Sequence, residues 1–584
     1  MKRNFITAIF ILTIMEMVSP GNLIAGCITV GDDLKLNICA EYQGATYQTP
    51  LIFSPHDTRF YWKVDTAGFG QIQSGDNCIP VENDMAFKFS CADYQGVGYA
   101  FVLNHAAYPN DSSGLYWKMD TSTFSTVYPY DPGTARTVGL MLNNSKAFPG
   151  YTLFAPKQNT MTYLINNEGR IVHQWTASKY PPGQSVYLLE NGHLLRTCMT
   201  KGKLSSGGGE GGRIEEYDWD DNLVWELDFS TDTYMQHHDI RILPNGNVIM
   251  LVIEKKTYTE VIAAGFNPNK LQPDIAQKGM MLPDYVVEIQ PTKPVGGKVV
   301  WEWHTWDHLI QDYDAIKANY GVVKSHPELI DTAGDQRNLP AFWNHMNSID
   351  YNPDFDQIAL SVRGNSEVWI IDHSTTTAEA KEHTGGKRGK GGDLLYRWGN
   401  PMAYRAGTLS DQRYFEQHDV EWVRPGYPGA GNMTCFNNGL GRGDYSSVDE
   451  FTPAVDADGN YTLVSGSAFG PKNFTWTYKG DTTNPMYSEN ISGAQRLPNG
   501  NTIICSGTLG LFIEVTSAGE IVWKYINPID QNGPLTQGDL PPADPARTSE
   551  TMNSVFRVYK YPVDYPAFVG KDMMPGDYVE KRKL

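Results

Sequence analysis

The sequence predicts an all-β protein: a six-bladed β-propeller preceded by a small disulfide-stapled two-repeat β module. Two recurring phrases predict the propeller, a strand that runs into an Asn-Gly type turn and an aliphatic or aromatic strand that leads to tryptophan. Asn-Gly favours the two-residue turn that joins twisted antiparallel strands, and radially repeated four-stranded units protect their sheet edges. A third pattern, a duplicated cysteine phrase, predicts the smaller module. The tryptophan phrase occurs six times, at Trp175, Trp225, Trp301 to Trp303, Trp398, Trp476 and Trp523.

The composition suits a long, turn-rich β protein. The chain has 584 residues, of which 41% are hydrophobic and 12% aromatic, with 56 glycines and 35 prolines. That length exceeds one ordinary core and favours several domains or one large repeat. A formal net charge of −19 opposes binding to nucleic acid or to an anionic membrane surface. We therefore expect no nucleic-acid partner, and an anionic substrate must meet a local positive site.

Residues 1–26 are predicted to be an export signal. Two basic residues precede an apolar run from Phe5 to Met15, which is the order of a secretory signal peptide. The run is shorter than the about 18 apolar residues of a spanning helix, and no later stretch approaches that length. We expect a protein without a membrane span that is periplasmic or exported to the cell envelope. Because the residues before Cys27 also fit a lipoprotein processing site, a lipid anchor at Cys27 stays open.

Residues 27–130 contain a duplication. The phrase that begins at Cys27 recurs from Cys78, with a second cysteine, Cys39 or Cys91, at the matching position. Because Cys78 is internal and cannot be lipidated, disulfides are the simplest role for all four, with Cys27 to Cys39 and Cys78 to Cys91 as one pairing. Four cysteines allow three pairings, and the sequence leaves the choice open. Disulfides agree with an oxidising compartment such as the periplasm. The other cysteines lie in segments with the sequence pattern of β-strands and are expected to be buried thiols: Cys198, Cys435 and Cys505.

Residues 131–584 are assigned to the propeller. The strand with the turn phrase is placed innermost in each blade, where it lines the central channel. The spacing of the tryptophans is widest between Trp301 and Trp398 and leaves room for long insertions such as 256–284 and 304–340. Insertions on one face of such a fold usually rim its functional opening.

Three of the turn phrases carry histidine just before the strand. These segments are His237-His238-Asp239, His345-Met346-Asn347 and Gln417-His418-Asp419. Counting back six residues from the turn proline or its counterpart gives Gln184, His238, Asn347 and Ser492, while His418 falls one step off. His345 lies two residues before Asn347 and therefore on the same strand face. One histidine beside an aspartate is more often a structural partner, but three at related blade positions predict a shared cavity.

Arg363 ends an otherwise apolar strand that starts near Ile358. A buried arginine needs an anionic partner, and its planar guanidinium suits a tetrahedral oxyanion. Two interpretations stay open for Arg363, a substrate-binding residue and an internal ion pair with a distant carboxylate.

The ordered set of motifs resembles that of the bacterial arylsulfotransferases, the aryl-sulfate sulfotransferases that work without 3′-phosphoadenosine 5′-phosphosulfate. The resemblance covers roughly residues 140 to 560 and rests on His237-His238-Asp239, His345-x-Asn347, Ser361-x-Arg363-Gly364-Asn365 and Gln417-His418-Asp419. It implies a six-bladed propeller that acts on phenolic sulfates in the periplasm or at the envelope, and we expect no cofactor and no metal. His418 then looks like the transiently sulfated nucleophile, and the sulfuryl group is bound by His238, His345, Asn347 and Arg363. In two respects the chain departs from the family: the doubled His237-His238 leaves the first histidine open, and the cysteine module is not the expected N-terminal segment.

The implied chemistry is transfer of a sulfuryl group from an aryl sulfate to a phenol, with ping-pong kinetics through a sulfohistidine. Such a transfer mainly needs positioning and charge stabilisation. His238 or His345 is expected to protonate the leaving phenolate, and Asp419 is expected to orient His418 if its side chain turns inward. The further substrate-binding candidates are Asn347, His237 and Ser492. The aromatic residues considered for stacking on the aryl groups, although core packing is their commoner use, are Trp343, Tyr404 and Tyr445.

Two other functions stay open at this point. A non-catalytic envelope propeller that binds a glycan or a protein needs none of the histidines. A metal-dependent hydrolase can use three histidines as zinc ligands, here His238, His345 and His418. Arg363 disfavours the hydrolase, because a cation beside a metal dication weakens metal binding. The family resemblance also allows a homodimer.

Overall fold

The computed structural model describes residues 136–200, 204, 208–333, 338–443, 445–480 and 486–581, together with the backbone of ten strands between residues 28 and 127. The chain divides into two compact units, Met1–Arg136 and Thr137–Leu584. Residues 1–27, which hold the predicted export signal and Cys27, lie outside the described residues. Cys78 and Cys91 also lie outside them, and the side chain of Cys39 is not described, so the disulfides remain a prediction.

The ten strands of the N-terminal unit form one sheet. Its two repeats pair reciprocally through short parallel strands: β1 of the first repeat pairs with β8 of the second, and β6 of the second pairs with β2 of the first. Equivalent positions meet in the two pairings, Ile28 opposite Ala92 and Ile79 opposite Ala40. The strands are β1 (Ile28–Val30), β2 (Lys35–Tyr42), β3 (Ala45–His56), β4 (Arg59–Val64), β5 (Gly70–Ile72), β6 (Ile79–Pro80), β7 (Ala86–Lys88), β8 (Ala92–Tyr94), β9 (Val97–Tyr108) and β10 (Asp111–Val127).

The second unit is a six-bladed β-propeller, as predicted. Its strands are β11 (Gly139–Asn143), β12 (Gly150–Pro156), β13 (Thr162–Ile165), β14 (Ile171–Trp175), β15 (Pro182–Leu188), β16 (Leu194–Met199), β17 (Gly212–Tyr217), β18 (Leu223–Asp228), β19 (Tyr234–Ile242), β20 (Val248–Glu254), β21 (Lys256–Thr257), β22 (Met280–Met281), β23 (Asp284–Pro291), β24 (Gly297–His304), β25 (Leu309–Ile310), β26 (Ile330–Asp331), β27 (Met346–Asn352), β28 (Gln357–Val362), β29 (Glu367–Asp372), β30 (Tyr396–Trp398), β31 (His418–Trp422), β32 (Met433–Asn437), β33 (Ser447–Phe451), β34 (Trp476–Tyr478), β35 (Gly493–Arg496), β36 (Thr502–Ser506), β37 (Leu511–Val515), β38 (Ile521–Ile526), β39 (Ile529–Asp530), β40 (Gly533–Pro534), β41 (Ala543–Asp544), β42 (Arg547–Thr551) and β43 (Val555–Pro562).

Each blade is an antiparallel sheet whose first strand faces the channel. Blade 1 is β43-β12-β13-β14, blade 2 is β15 to β18, blade 3 is β19-β20-β23-β24, blade 4 is β27 to β30, blade 5 is β31 to β34 and blade 6 is β35 to β38. The two ends of this unit close the ring, because β43 supplies the inner strand of blade 1 and β11 adds a fifth strand to blade 6. Closure of this kind fastens both ends of the unit into the ring, and each blade keeps a short outer edge.

Helices occur only in connections within the described part of this unit. The α-helices are α1 (Tyr258–Ala263), α2 (Pro273–Lys278) and α3 (Thr377–Ala380), and the 3-10 turns are Pro268–Lys270, Thr305–His308, Val323–Ser325, Arg363–Asn365, Pro401–Tyr404, Leu409–Asp411, Gly507–Leu509 and Pro566–Phe568. Of the described residues, no helix is long and apolar enough to cross a membrane. The two predicted insertions are present, one between β20 and β23 and one between β24 and β27.

The Asn-Gly type phrases form the turns between the first and second strands of their blades. In blade 3, Leu243 N donates to the Asn247 carbonyl at 2.8 Å, and Gly246 N donates back to the Leu243 carbonyl at 2.9 Å. Gly246 has a φ of 84°, a left-handed conformation that glycine adopts without steric cost. The inner hairpins are therefore set by local turn chemistry.

The outer tryptophans link neighbouring blades. Trp225 of blade 2 donates its indole N–H to the Gly296 carbonyl of blade 3 at 2.8 Å, and Trp523 of blade 6 donates to the Asn167 carbonyl of blade 1 at 2.8 Å. Tryptophan suits this position because it buries a large apolar ring and still offers one donor. The recurring phrase thus reflects contacts between blades, and the remaining pairs are Trp175 with Asp218, Trp301 with Thr375, Trp398 with Pro471 and Trp476 with Ser517.

Candidate active site

The inner strands of blades 3, 4 and 5 break register with their neighbours where the histidines occur. The shifts fall between Gln236 and Ile240, between Met346 and Ser348, and between His418 and Glu421. Left-handed φ angles accompany them, at His238 (48°), His345 (50°) and Asp419 (61°). A β-bulge re-aims side chains, and non-glycine residues in such strained conformations cluster at functional sites.

Three of the predicted histidines and Arg363 come together where the sequence predicts a shared cavity. The ring centroids of His238 and His345 are 5.1 Å apart. The ring of Phe556 lies 5.9 Å from that of His238 and 6.4 Å from that of His418. Burial lowers the pKa of all three histidines, and the positive charge of Arg363 adds to the effect at each of them. The structure thus brings together the predicted nucleophile and three of the residues predicted to bind the sulfuryl group.

These histidines are uncharged at neutral pH. Burial, reinforced by the charge of Arg363, lowers the pKa of His418 to about 3. Burial also holds the pKa values of His238 and His345 well below the ordinary range, with smaller contributions from the neighbouring charges. Each ring therefore keeps a nitrogen lone pair, in a site where the Arg363 guanidinium adds to the effect of burial.

The tautomer of His418 follows from Asn438. The side-chain amide of Asn438 donates from Nδ2 to the carbonyls of Ser488, at 2.7 Å, and Ile491, at 3.0 Å. Its Oδ1 is therefore the acceptor that lies 2.7 Å from His418 Nδ1. Nδ1 must carry the ring proton, and the lone pair of His418 resides on Nε2.

The prediction that Asp419 orients His418 is wrong. Asp419 Oδ2 accepts a hydrogen bond from Ala494 N at 2.9 Å, and its Oδ1 lies 2.9 Å from Arg557 Nε. Its carboxylate therefore ties β31 to the inner strand of blade 6 and to that of blade 1. Asn438, which follows β32, contacts His418 Nδ1 in place of Asp419. No motif in the sequence marks Asn438.

His237 lies behind His238 in a buried chain. Its Nδ1 is 2.8 Å from His238 Nδ1, and its Nε2 is 2.8 Å from Asp284 Oδ1. Both ring nitrogens thus face protein groups, so His237 supports His238. The ambiguity between the two histidines resolves in favour of His238 as the one that shares the cavity with His345. The supporting carboxylate, Asp284, lies at the start of β23, and no motif singles it out.

Arg363 forms an ion pair with Glu416, two residues before His418. The side chains of Arg363 and Glu416 are 21% and 18% exposed. Arg363 N also donates to the His345 carbonyl at 3.3 Å. The distant carboxylate that the sequence left open is therefore present, and it belongs to the segment that carries His418.

Asn347 and Ser492 are both engaged by neighbouring protein groups. Asn347 Nδ2 donates to the Gln417 carbonyl at 2.7 Å, which ties β27 to the residue just before His418. The Ser492 hydroxyl donates to Ser488 Oγ at 2.8 Å and accepts from Gly507 N at 2.9 Å. These contacts position the site, and a direct role of either residue in substrate binding stays a prediction.

Two phenylalanines line the cavity, and the sequence did not nominate them. Phe342 stacks on His345, with centroids 4.1 Å apart and planes 22° apart, and Phe556 lies between His238 and His418. Of the aromatic residues considered from sequence, Trp343 packs on Phe266, Tyr404 packs over Arg397, and Tyr445 is 40% exposed under Arg442. The first two are core residues.

A glycine-rich segment before β17 closes on the same histidines. Gly209 has a φ of 70°, and a Cβ atom there would lie 1.7 Å from His238 Cε1. Gly209 also accepts a hydrogen bond from His238 N at 2.8 Å. Only glycine allows the backbone to approach the imidazole this closely.

No curated protein sequence matches this chain. Solved structures similar to it include a protein of unknown function from Bacteroides caccae, with 12% identity over 65% of this chain and 93% of that chain and a TM-score of 0.34. Virginiamycin B lyase from Staphylococcus aureus has 9% identity over 67% and 89% of the two chains and a TM-score of 0.28. Kuenenia stuttgartiensis hydrazine synthase has 14% identity over 76% and 100% and a TM-score of 0.29. At these TM-scores the likenesses support no argument about this chain.

A family model described as Arylsulfotransferase (ASST) matches residues 134–533. The match spans the propeller from before β11 to β40, including the cavity histidines, Arg363 and Asn438. Because it covers well over half of the 584 residues, this protein belongs to the arylsulfotransferase family.

Proposed function

We propose that this protein transfers a sulfuryl group from an aryl sulfate to a phenolic acceptor in two half-reactions, through a sulfated His418. The observation that carries the proposal is the hydrogen bond between Asn438 Oδ1 and His418 Nδ1. It leaves the lone pair on Nε2 of a neutral ring, beside the charge of Arg363. A neutral imidazole with a fixed tautomer is a competent nucleophile.

In the first half-reaction, His418 Nε2 attacks sulfur. An N–S bond forms, the S–O bond to the aryl group breaks, and the aryloxide leaves with the bonding electron pair. The sulfated ring is formally cationic and keeps its Nδ1 proton, which Asn438 accepts in a charge-assisted hydrogen bond. Arg363 and the imidazoles of His238 and His345 face the charge that develops on the peripheral oxygens.

The acceptor phenol completes the cycle. A bound sulfate ester places an anion beside the buried imidazoles and raises their pKa values against the effects of burial and of the guanidinium, so one imidazole takes up a proton when the donor binds. That imidazolium protonates the departing aryloxide and then recovers a proton from the acceptor phenol as the phenol oxygen attacks sulfur. His238 is the one we assign to this role, because His237 and the Asp284 carboxylate hold its ring from behind.

The aromatic walls of the cavity support an aryl substrate. Phe342 and Phe556 border the histidine rings, and aromatic pairs gain about 0.5–1.5 kcal/mol beyond their buried area. A phenyl sulfate that stacks on either ring can place its sulfur toward the histidines.

The test is release of phenolate from a chromogenic aryl sulfate by the purified protein, with and without added phenol. Release that requires phenol, survives a chelator and vanishes in His418→Asn supports the proposal. His193→Asn, which removes a half-buried histidine of blade 2 that pairs with Glu216, is the matched control. Acid-quenched protein from a reaction with donor alone should carry one sulfuryl group, located on the peptide that contains His418.

Other outcomes select the other functions. Release into water that chelation abolishes indicates a metal-dependent hydrolase, and no release over a panel of donors indicates a propeller that binds a glycan or a protein. A burst of phenolate that persists in His418→Asn would rule out the sulfohistidine at His418, while sulfuryl transfer as the reaction would still be supported.

We also propose that the protein is exported, after removal of residues 1–26, to the periplasm or the cell envelope. Mass measurement of the mature N-terminus distinguishes a free Cys27 amine from an acylated one. Mapping of peptides without reduction tests the disulfides of the N-terminal module.

A further inference from the structure

A second group of histidines lies away from the cavity, at the outer edge where blade 3 meets blade 4. His308 ends the 3-10 turn that follows β24, and His383 and Asp393 bound the glycine-rich loop between α3 and β30. Among the residues that the structure describes, these three form a group whose candidate metal-ligand atoms all lie within 4.8 Å of one another. The cavity histidines form no such group.

Both histidines point the same nitrogen at one carboxylate oxygen. His308 Nδ1 lies 2.9 Å from Asp393 Oδ1, and His383 Nδ1 lies 2.7 Å from the same atom. His308 and Asp393 are buried, whereas the His383 side chain is 57% exposed. The group is therefore anchored in the protein on one side and open to solvent on the other.

The second nitrogen of His308 identifies its protonation. His308 Nε2 lies 2.9 Å from the carbonyl oxygen of Ala380, which can only accept. Nε2 must therefore carry the proton, and in a neutral ring the lone pair is on Nδ1, which faces the acceptor Asp393 Oδ1. Two lone pairs in contact need a cation between them. A ring whose outer N–H is held by a backbone carbonyl is the usual arrangement of a metal-binding histidine.

The surroundings hold His308 in place before any ligand binds. The indole of Trp303 stacks on His308, with planes 8° apart, and donates from Nε1 to the Gly392 carbonyl at 2.6 Å. A Cβ atom at Gly392 would lie 2.0 Å from the Ala380 carbonyl oxygen and 2.6 Å from His308 Nε2. Gly392 N donates to the Glu382 carbonyl at 3.0 Å, which ties the two ends of the loop together.

We propose that His308, His383 and Asp393 bind a divalent cation of the zinc type, which fastens the loop of blade 4 to the end of blade 3. Two imidazole nitrogens and one carboxylate oxygen are a donor set that Zn²⁺ prefers over Mg²⁺ or Ca²⁺. Bonds of about 2.0–2.2 Å in a tetrahedron require the ligand atoms to separate by about half an ångström from their present distances. The exposed side at His383 leaves the fourth position to water.

The test is zinc binding by the full-length protein after chelator treatment, measured by competition with a chromogenic zinc indicator and by metal analysis after gel filtration. We expect one zinc per chain, lost in His383→Ala and in Asp393→Asn and retained in His193→Ala. His383 is exposed, so its substitution does not endanger the fold. Added zinc should raise the unfolding temperature of the wild type and leave that of His383→Ala unchanged.

Two results overturn the proposal. The first is a wild type that binds no zinc at micromolar concentration, since the group is then an imidazolium–carboxylate bridge. The second is zinc that binds equally to His383→Ala and the wild type. If that zinc disappears in His418→Asn, it occupies the central cavity. Removal of zinc from the outer group should leave phenol-dependent phenolate release within about twofold of the untreated protein, which separates this site from the proposed reaction.

Discussion

Replacement of Asn438 by leucine tests the origin of nucleophilicity at His418. Leucine keeps the branching and the heavy-atom count of the asparagine side chain and removes the oxygen that holds the Nδ1 proton. The neutral ring can then carry its proton on Nε2 instead of Nδ1. The sulfated ring also loses the acceptor for its cationic Nδ1–H. Such bonds to charged groups contribute about 1.5–3 kcal/mol, which corresponds to a roughly 10- to 150-fold loss of kcat at 1.36 kcal/mol per factor of ten.

The substitution also affects stability, so the assay must separate the two effects. Asn438→Leu removes the donor to the Ile491 carbonyl, at a cost of about 1–3 kcal/mol if that carbonyl stays dry, and the shorter of two hydrogen bonds to the Ser488 carbonyl, which keeps the Ser446 hydroxyl at 3.3 Å. Asn437→Leu is the matched control, because Asn437 is equally buried and donates to the Arg413 carbonyl and to Asp449 on the far side of the strand. We expect both variants to unfold at lower urea concentration than the wild type.

The decisive measurement is the burst of phenolate in a stopped-flow reaction with excess donor, well below the unfolding temperature. Asn438→Leu should slow the burst by the factor above, whereas Asn437→Leu should leave it within about threefold of the wild type. An unchanged burst rate in folded Asn438→Leu would refute the assignment of the Nε2 lone pair to this hydrogen bond.

Three further predictions concern pH, blade contacts and aryl binding. The pKa of His418 is about 3 in the folded protein and about 6.5 in an unfolded chain, so the unfolded chain binds more protons between these pH values. The contribution of His418 to the free energy of unfolding is therefore complete above about pH 6.5 and falls toward pH 3 by up to ~1.4 kcal/mol per pH unit. His418→Asn should flatten this dependence on pH in urea titrations. Trp225→Phe removes the donor to the Gly296 carbonyl and should lower the free energy of unfolding by about 1–3 kcal/mol, and an unchanged urea midpoint would argue against the link between blades. Phe342→Leu should raise the KM for aryl sulfates roughly 2- to 12-fold with a smaller change in kcat, while Phe266→Leu, in the core of the insertion beside Trp343, should leave KM unchanged.

The propeller could be predicted because its blades repeat a local signal. Tryptophan marks the outer strands and the Asn-Gly turn marks the inner hairpins, and both depend on short-range chemistry. The inner strand of blade 1 could not be predicted, because β43 comes from the other end of the unit and no tight turn joins it to its partner β12. Arg557 lies on that strand, so its contacts with Asp239 and Asp419 could not be foreseen.

The candidate site divides in the same way. His238, His345, His418 and Arg363 could be found because blade positions and an unusual arginine single them out. Their partners could not: His418 and Asn438 are 20 residues apart in sequence, and Asp284 reaches His237 from another strand of blade 3. Pairing of this kind depends on which strands become neighbours and on side-chain direction, which a single sequence does not encode locally.

Glu416 gives the last prediction, because its carboxylate and a substrate sulfate compete for the same guanidinium. Arg363 pairs with Glu416 in the structure, and a sulfate bound to Arg363 would lie about 5 Å from that carboxylate, a repulsion of about 3 kcal/mol at an effective dielectric constant of 20. Partial exposure of both side chains reduces this value. We therefore expect Glu416→Gln to lower the inhibition constant of an aryl sulfonate by about 3- to 30-fold at low salt. An aryl sulfonate is used because it cannot transfer its sulfonate group. Glu190→Gln, an exposed change of equal charge on a turn of blade 2, is the control for net charge. Weaker inhibition in Glu416→Gln would mean that Glu416 holds Arg363 in its binding position and does not compete with the substrate.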